Sequence, residues 1–557
     1  MRLGGFTRSN LSSYRDTLST NQRALFDYAI EALDANWAPP FLFQTPRYSA
    51  WYAVGLLARN EGDDAALASR MIADLVFLHI KWTDPTKIWY GTYKDDPQQP
   101  DPSAVFPPQI YTSYDPNVGL FVCTSWIIIM EEFQDLLSPA LIESMKQSMY
   151  IEAVGAGYRV GGYNGDNLYP VYSNPWYMRV MVATYVGNMM SDANMSYWGN
   201  EWAREAIEYF DIYDTLSEFN SGTYTGVTLY ALSLWGYMPA NATIVSRAPD
   251  IIAKTWSSVG QFWNPTLKTL GGPWDRAYGW YLKDYFGILG GWATGLVGGI
   301  EDNNAPIPEP LIGCEHVDDV AAAVLTPLIA KFHDPYVPEE VRAQLTSLNG
   351  SHSYFAQAVS PPFDNPAYPR NYTSWTEDGL SVGGVQLDQR EPGGAALSPY
   401  EFAPAVILWT ALKDETAYFM VSVSCSPGRG GKTQLRNTQH FATSGSISAV
   451  ASSTNLTIAY PPSRAFPDNS TTSDIMTFLI SGITNVTLPG DFLSNGSSYD
   501  LPGLRLSVSG NVASGSTTLL YGASPDDVYN YYNFTYTIPE NLTDTPVLVL
   551  SYEKLPV

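Results

Sequence analysis

The sequence predicts an α+β chain of two modules: an all-helical domain over residues 1–350, then an antiparallel β-sandwich over 351–557. Three observations predict it. Apolar residues recur at helical spacing as far as about residue 350 and alternate after it. The chain has 557 residues, too many for one ordinary domain. It is 45% hydrophobic and only 15% charged, enough apolar material for a large core and against disorder.

The helical half reads in order. Leu25, Phe26, Ala29, Ile30, Leu33 and Trp37 form one stripe, and Leu67, Met71, Leu75 and Leu78 form another. Ser138 caps a helix with Pro139 at its first position, followed by the stripe Leu141, Ile142, Met145 and Met149. Pro338-Glu339-Glu340 opens another with acids in its first turn. Further helices are expected near 46–60, 118–132, 175–190, 197–213, 222–237, 243–262, 279–299 and 315–331. Several are apolar nearly all round, so other helices must wrap them. About twelve helices in this length fit six hairpins closed into a ring. In the second half Leu504, Leu506 and Val508 alternate with Arg505, Ser507 and Ser509. The segments 417–424, 446–452, 456–460, 517–521, 529–537 and 546–552 are also β-rich, separated by Gly, Pro, Asn and Asp turns. No Pro/Ser-rich linker joins the halves, and the aromatic segment from Tyr354 to Trp375 is expected to lie between them.

Charge narrows the partners. The net charge of −25 disfavours nucleic acid and anionic membrane. No apolar run reaches the length of a membrane helix. Three cysteines, Cys123, Cys314 and Cys425, exclude a disulfide scaffold and a multi-cysteine zinc site. No signal peptide opens the chain, and Met1–Gly5 is consistent with an edge left after signal removal. Sequons begin at Asn10, Asn194, Asn241, Asn349, Asn371, Asn455, Asn469, Asn485, Asn495, Asn533 and Asn541, which points to a secreted, extracellular glycoprotein.

Familiar catalytic motifs fail. Gly428-Arg429-Gly430-Gly431-Lys432-Thr433 is not a phosphate loop, because Ser426 stands where the first glycine belongs. There is no His-Glu-x-x-His and no Gly-x-Ser-x-Gly. Only His316 sits among acids, in Glu315-His316-Val317-Asp318-Asp319, where a solvated helix start competes with a site histidine. No cofactor and no metal is expected.

Three polar-aromatic clusters survive: Tyr169–Arg179, Glu218–Gly226 and Gly271–Gly279. Each is expected to open a helix, with Asn174 as a cap before Pro175. In a ring of hairpins alternate helix openings gather at one mouth, so loops far apart in sequence can meet. Aromatic faces stack on sugar rings, while amides, carboxylates and guanidinium groups bind hydroxyls and carboxylates. Trp176, Tyr177, Arg179, Asn220, Trp274 and Asp275 are therefore candidate substrate-binding residues, and the substrate class is a glycan or a small molecule.

At these clusters the chain resembles polysaccharide lyases with an (α/α) toroid followed by a β-sandwich, the heparinase II/III and alginate-lyase-like group. Many such lyases carry Asn-Asn-His-aromatic on an inner helix; here Ser173-Asn174-Pro175-Trp176-Tyr177 stands there, with Pro175 in place of histidine. The resemblance implies an (α/α)6-type toroid and cleavage of a uronate-containing glycan by β-elimination. Asn174, Arg179 or Arg276 would neutralise the carboxylate, and a tyrosine, Tyr278 beside Arg276 or Tyr224 beside Asn220, would act as acid and base. Of the two tyrosines, Tyr278 is preferred, because it sits in the tight run Asp275–Gly279 after a Gly-Gly-Pro turn. The net charge argues for a lightly charged glycan rather than a densely sulfated one. Three alternatives stay open: an inverting glycoside hydrolase using Glu218 and Asp275, a dehydratase or isomerase on a small metabolite, and a non-catalytic glycan-binding protein.

Overall fold

The structure, a computed structural model, describes residues 13–36, 45–77, 80–159, 168–170, 172–277, 279–308, 317–359, 367–388, 402–413, 415–425, 446–460, 474–483, 486–512, 517–523, 530–537 and 543–557. The first part is helix-rich. Its helices are α1 (Thr20–Asn36), α2 (Pro46–Arg59), α3 (Asp64–Phe77), α4 (Val118–Ile128), α5 (Pro139–Tyr158) and α6 (Ser173–Met189). They continue with α7 (Ala193–Tyr213), α8 (Tyr224–Ser233), α9 (Ala248–Phe262), α10 (Ile288–Val297), α11 (Thr326–Ile329) and α12 (Glu339–Thr346).

Neighbouring helices follow from which are apolar all round. Every residue of α4 is buried, as is every residue of α8 after Tyr224. Such helices need partners on all sides. Thus α2 packs on α4, α4 on α6, α6 on α8 and α8 on α10, and the 3₁₀ run Val317–Val324 packs on both α10 and α2. The one-sided helices lie outside: α3 against α2 and α5, α7 against α6, and α9 against α8 and α12. In α7, for example, Met195, Gly199, Ala203, Ala206, Ile207 and Phe210 are buried at helical spacing. Ser138 caps α5 as expected, its hydroxyl accepting from the Leu141 amide at 3.2 Å.

Two helices depart from expectation. The one expected over 279–299 begins only at Ile288. Before it the chain turns tightly: Tyr285 packs so close that a Cβ on Gly279 would lie 2.1 Å from its ring, and one on Gly222 2.3 Å from its hydroxyl. The one expected over 315–331 is a 3₁₀ run with one short α turn, Thr326–Ile329, where Pro327 has no amide to donate back.

The second part is antiparallel. A two-residue pair, β1 (Trp263–Asn264) and β2 (Thr269–Leu270), lies within the helical part. Then come β3 (His352–Ala358), β4 (Arg370–Glu377), β5 (Leu380–Asp388), β6 (Ala405–Leu412), β7 (Glu415–Cys425), β8 (Ser446–Ala451) and β9 (Asn455–Ala459). The last are β10 (Asp474–Ser481), β11 (Ser498–Leu501), β12 (Leu504–Gly510), β13 (Thr517–Ala523), β14 (Asn530–Thr537) and β15 (Val547–Lys554). Where a two-sheet sandwich was expected, hydrogen bonding runs unbroken through one 13-stranded sheet. The sheet forks at β5: Leu380–Gly384 pair with β6, and Gln386–Asp388 pair with β8. Alternation along a strand reports which face is buried, not how many sheets the strands share.

Sheet and helices are in intimate contact. Asn264 donates to the carbonyls of Glu377 and Leu380 at 2.9 and 3.1 Å, and Trp274 exchanges backbone hydrogen bonds with Ala403. Phe219 meets Tyr372 edge-on at 4.7 Å, and Tyr354 meets Phe262 at 5.4 Å. The two backbones approach so closely that a Cβ on Gly383 would lie 1.8 Å from the Gly272 carbonyl oxygen, so only glycine fits.

Candidate active site

Three of the polar-aromatic segments meet. Asn174 in the first turn of α6 donates its side-chain amide to Glu218 Oε2 at 2.9 Å, and Arg276 Nη1 donates to Glu218 Oε1 at 2.9 Å. Arg276 Nη2 in turn donates to the hydroxyl of Tyr224, the first residue of α8, at 3.1 Å. The Arg276 guanidinium also lies 3.8 Å from the centre of the Tyr224 ring. Asn174, Glu218 and Arg276 are buried, while Tyr224 is half-buried and so leads from the network toward solvent. Burial pushes the Glu218 carboxyl above the ordinary carboxylate range, and Arg276 and Asn174 pull it back.

Asn174 is therefore not the cap expected of it. The helix already includes Ser173, and the residue before it, Tyr172, makes no side-chain cap. The amide is used across the loops instead, and Ser173 Oγ accepts from the Glu218 amide at 3.1 Å. Asn220, expected to bind substrate, has its side-chain amide engaged within the protein. It is buried, its φ is 58°, and its side-chain amide holds the carbonyls of Gly271 and Pro273 at 2.9 and 2.5 Å. Asparagine tolerates this left-handed backbone better than most residues, and the bonds set the loop that carries Arg276.

A second layer comes from residues that the sequence reading did not single out. Asn117, just before α4, donates to the hydroxyls of Tyr111 and Tyr172, each at 3.2 Å. Arg159 Nη2 donates to Asn117 Oδ1 at 2.9 Å, and the Tyr172 ring lies 5.2 Å from the Arg276 guanidinium. Arg47, at the start of α2, pairs with Asp319 at 2.8 Å and lies 3.9 Å from the Phe121 ring. Arg47 also interacts electrostatically with Tyr224 and Asp115. Burial raises Asp115 to about 6, against the Asn117 amide and the charges of Arg159 and Arg47. Arg47, Asn117, Asn174 and Tyr224 thus stand at the N-terminal ends of α2, α4, α6 and α8, the positive ends of successive inner helices. The pattern was visible in principle: Thr45-Pro46-Arg47 and Asp115-Pro116-Asn117 open helices as Asn174-Pro175 does.

The remaining expected residues fall elsewhere. Asp275 is fully buried in an ion pair with Arg370, which also donates to the Ser217 carbonyl at 2.6 Å. Trp274 is buried with its indole N–H on the Leu270 carbonyl at 3.1 Å, and Tyr177 is buried in the core. All three are buried, as Asn174 and Arg276 are. Glu218 and Asp275 each sit in a buried arginine pair, which does not match an acid and a base flanking a bond with room for water. Arg179 lies against the Trp176 and Trp202 rings at 4.1 and 3.9 Å and lines the groove between α5 and α7. Tyr278 and His316 lie outside the described residues. Among the described residues no cluster of three or more His, Cys, Asp or Glu could hold a metal ion.

Residues 23–331, more than half of the chain, match the family model described as a domain of unknown function, DUF8769. The chain belongs to that family. Residues 350–553 match a second such model, DUF8770. No curated protein matches the sequence. Similar solved structures include a heparinase III, 12% identical, with 100% of this chain and 88% of that chain covered and a TM-score of 0.43. A second heparinase III is 9% identical, covering 98% of this chain and 87% of that one, with a TM-score of 0.39. The chondroitin AC lyase of Streptomyces coelicolor A3, in complex with chondroitin sulphate, is 11% identical, covering 99% and 81%, with a TM-score of 0.43. At such identities and TM-scores these likenesses assign no activity to members of DUF8769.

Proposed function

We propose that this DUF8769 protein is a secreted polysaccharide lyase, cleaving a uronate-containing glycan by β-elimination at the mouth of an (α/α) toroid. The observation that carries the reading is the Arg276–Tyr224 contact: a guanidinium donates to a half-buried phenol at 3.1 Å, and Glu218 ties that guanidinium to the Asn174 amide. The Asn174 amide and the Arg276 charge neutralise the uronate carboxylate, which makes the C5 proton acidic. The Tyr224 oxygen takes that proton; the C5–H electron pair becomes the C4–C5 double bond. The C4–O bond breaks, the leaving oxygen keeps its electron pair, and a proton returns to it from Tyr224. Arg276 stabilises negative charge on the phenol oxygen while it carries no proton. Glu218 is a positioning residue that aims both donors.

On this reading Tyr224 carries the acid/base role; Tyr278, preferred on sequence alone, serves as the comparison. The test is cleavage of unsulfated uronate glycans, read by ultraviolet absorbance of the unsaturated product. Absorbance lost in Tyr224→Phe and kept in Tyr278→Phe supports the assignment; the reverse moves it to Tyr278. New reducing ends without absorbance would replace elimination by hydrolysis. Secretion is supported by sequons at the exposed Asn194, Asn241, Asn349 and Asn495, with the densest glycosylation expected from Asn455 to Asn541. Mass spectrometry of natively produced protein with every sequon bare would overturn it.

A further inference from the structure

A second feature lies on the outside of the helical part. Between α5 and α7 runs a groove of about 660 Å³, within the range of small-molecule sites. Aromatic side chains of α5, α6 and α7 line it. Trp198 and Trp202 are one turn apart on α7 and stack at 6.0 Å with their planes 29° apart. Trp198 is 46% exposed, and across the groove Tyr158, the last residue of α5, is 70% exposed. Beneath them Arg179 lies against Trp176 and Trp202, and the Trp176 indole donates to the Trp202 carbonyl at 3.0 Å. Aromatic surface is thus presented to water, which costs solvation unless a ligand covers it.

The polar groups select the ligand. Asp192 and the half-buried Glu205 line the groove together with Arg179, offering donors and acceptors of both signs. That suits hydroxyl-bearing rings with little net charge, whose C–H faces stack on indole. It does not suit a densely anionic chain. One residue is shared with the surroundings of the site described above. Arg159 lines the groove, while its guanidinium reaches the Pro116 carbonyl at 3.2 Å and Asn117 Oδ1 at 2.9 Å.

We propose that this groove is a distal glycan subsite, in which Trp198 and Tyr158 hold sugar rings of a chain whose reactive part lies at Tyr224. The identity of the glycan rests on the lyase reading; the binding does not.

Two measurements separate the claims, both on the full chain made in bacteria so that Asn194 carries no glycan. In the Tyr224→Phe background, tryptophan fluorescence is titrated with hyaluronan oligosaccharides, short and long. Long chains are expected to change the fluorescence, and Trp198→Ala to weaken their binding by about tenfold or more. In the chain with Tyr224 intact, Trp198→Ala is expected to raise KM for long chains by a similar factor and to leave kcat in place, which a merely structural role would not do. Tyr158→Ala, on the other helix, should act in the same direction. Binding without cleavage leaves the groove standing and removes the lyase reading. Cleavage with Trp198→Ala and Tyr158→Ala indistinguishable from the parent at every chain length removes the groove and leaves the lyase. An equal loss for short and long chains, or no fluorescence response to any of these oligosaccharides, also overturns the subsite.

Discussion

Asp275 and Arg276 are consecutive, and both bury their charge in an ion pair, yet they belong to different regions. Asp275 meets Arg370 of β4 where helices and sheet join, with both side chains fully buried. Arg276 meets Glu218 and reaches on to Tyr224, which is half-exposed. A buried charge needs a partner in either place. In the first region Arg370 also donates to the Ser217 carbonyl, so the pair joins two parts of the chain. In the second it leads to a group that can meet a ligand. Burial and pairing alone do not mark a catalytic residue; what decides is whether the network ends at a reachable atom.

Substitutions can break this contrast. The largest effect is expected from Tyr224→Phe, which removes one oxygen and keeps the ring. Turnover should fall by roughly 10²–10⁴-fold, the usual size for a general acid/base, with an unchanged thermal melt. Arg370→Ala should do the opposite. Leaving Asp275 buried without its main partner should cost about 3–5 kcal/mol in denaturant unfolding, and activity per folded molecule should be kept. If Arg370→Ala left stability intact, the division between the regions would fail. Glu218→Gln keeps the shape but loses the charge that aims Asn174 and Arg276. A smaller rate loss is expected, up to about 10²-fold from misplaced donors, seen in kcat more than in KM.

The smallest effect tests a buried carboxylate that the chemistry does not use. Burial raises Glu152 to about 7, against Lys81 and Arg159, with Asp115 adding to the rise. Its Oε2 lies 3.8 Å from the Lys81 ammonium. A carboxyl whose folded pKa is raised contributes stability below its unfolded pKa and loses it as pH rises through the folded value. Melting temperature should therefore decline between about pH 4.5 and 7, and Glu152→Gln should flatten that decline. A variant with the same slope as its parent would remove Glu152 as the cause.

What the sequence determined by itself was local. Ser138-Pro139 capped a helix, all-round apolar runs became inner helices, and the alternation at Leu504–Val508 became a strand, because spacing and capping act within a few residues. The three polar-aromatic segments were legible as a group for the same reason. Which atom in each faced the others was not. Asn174, read as a cap and as a carboxylate-neutralising amide, became a partner of Glu218; Asp275, read as a site acid, became an interface ion pair; and the likeness of the segments at Arg47 and Asn117 to Asn174-Pro175 did not say that Arg47 would interact with Tyr224 or Asn117 with Tyr172. The fork of one sheet at β5 was equally hidden. Those outcomes rest on contacts between residues tens to hundreds of positions apart, and they are settled by how the helices pack and where a buried charge can find its partner, which no local pattern encodes.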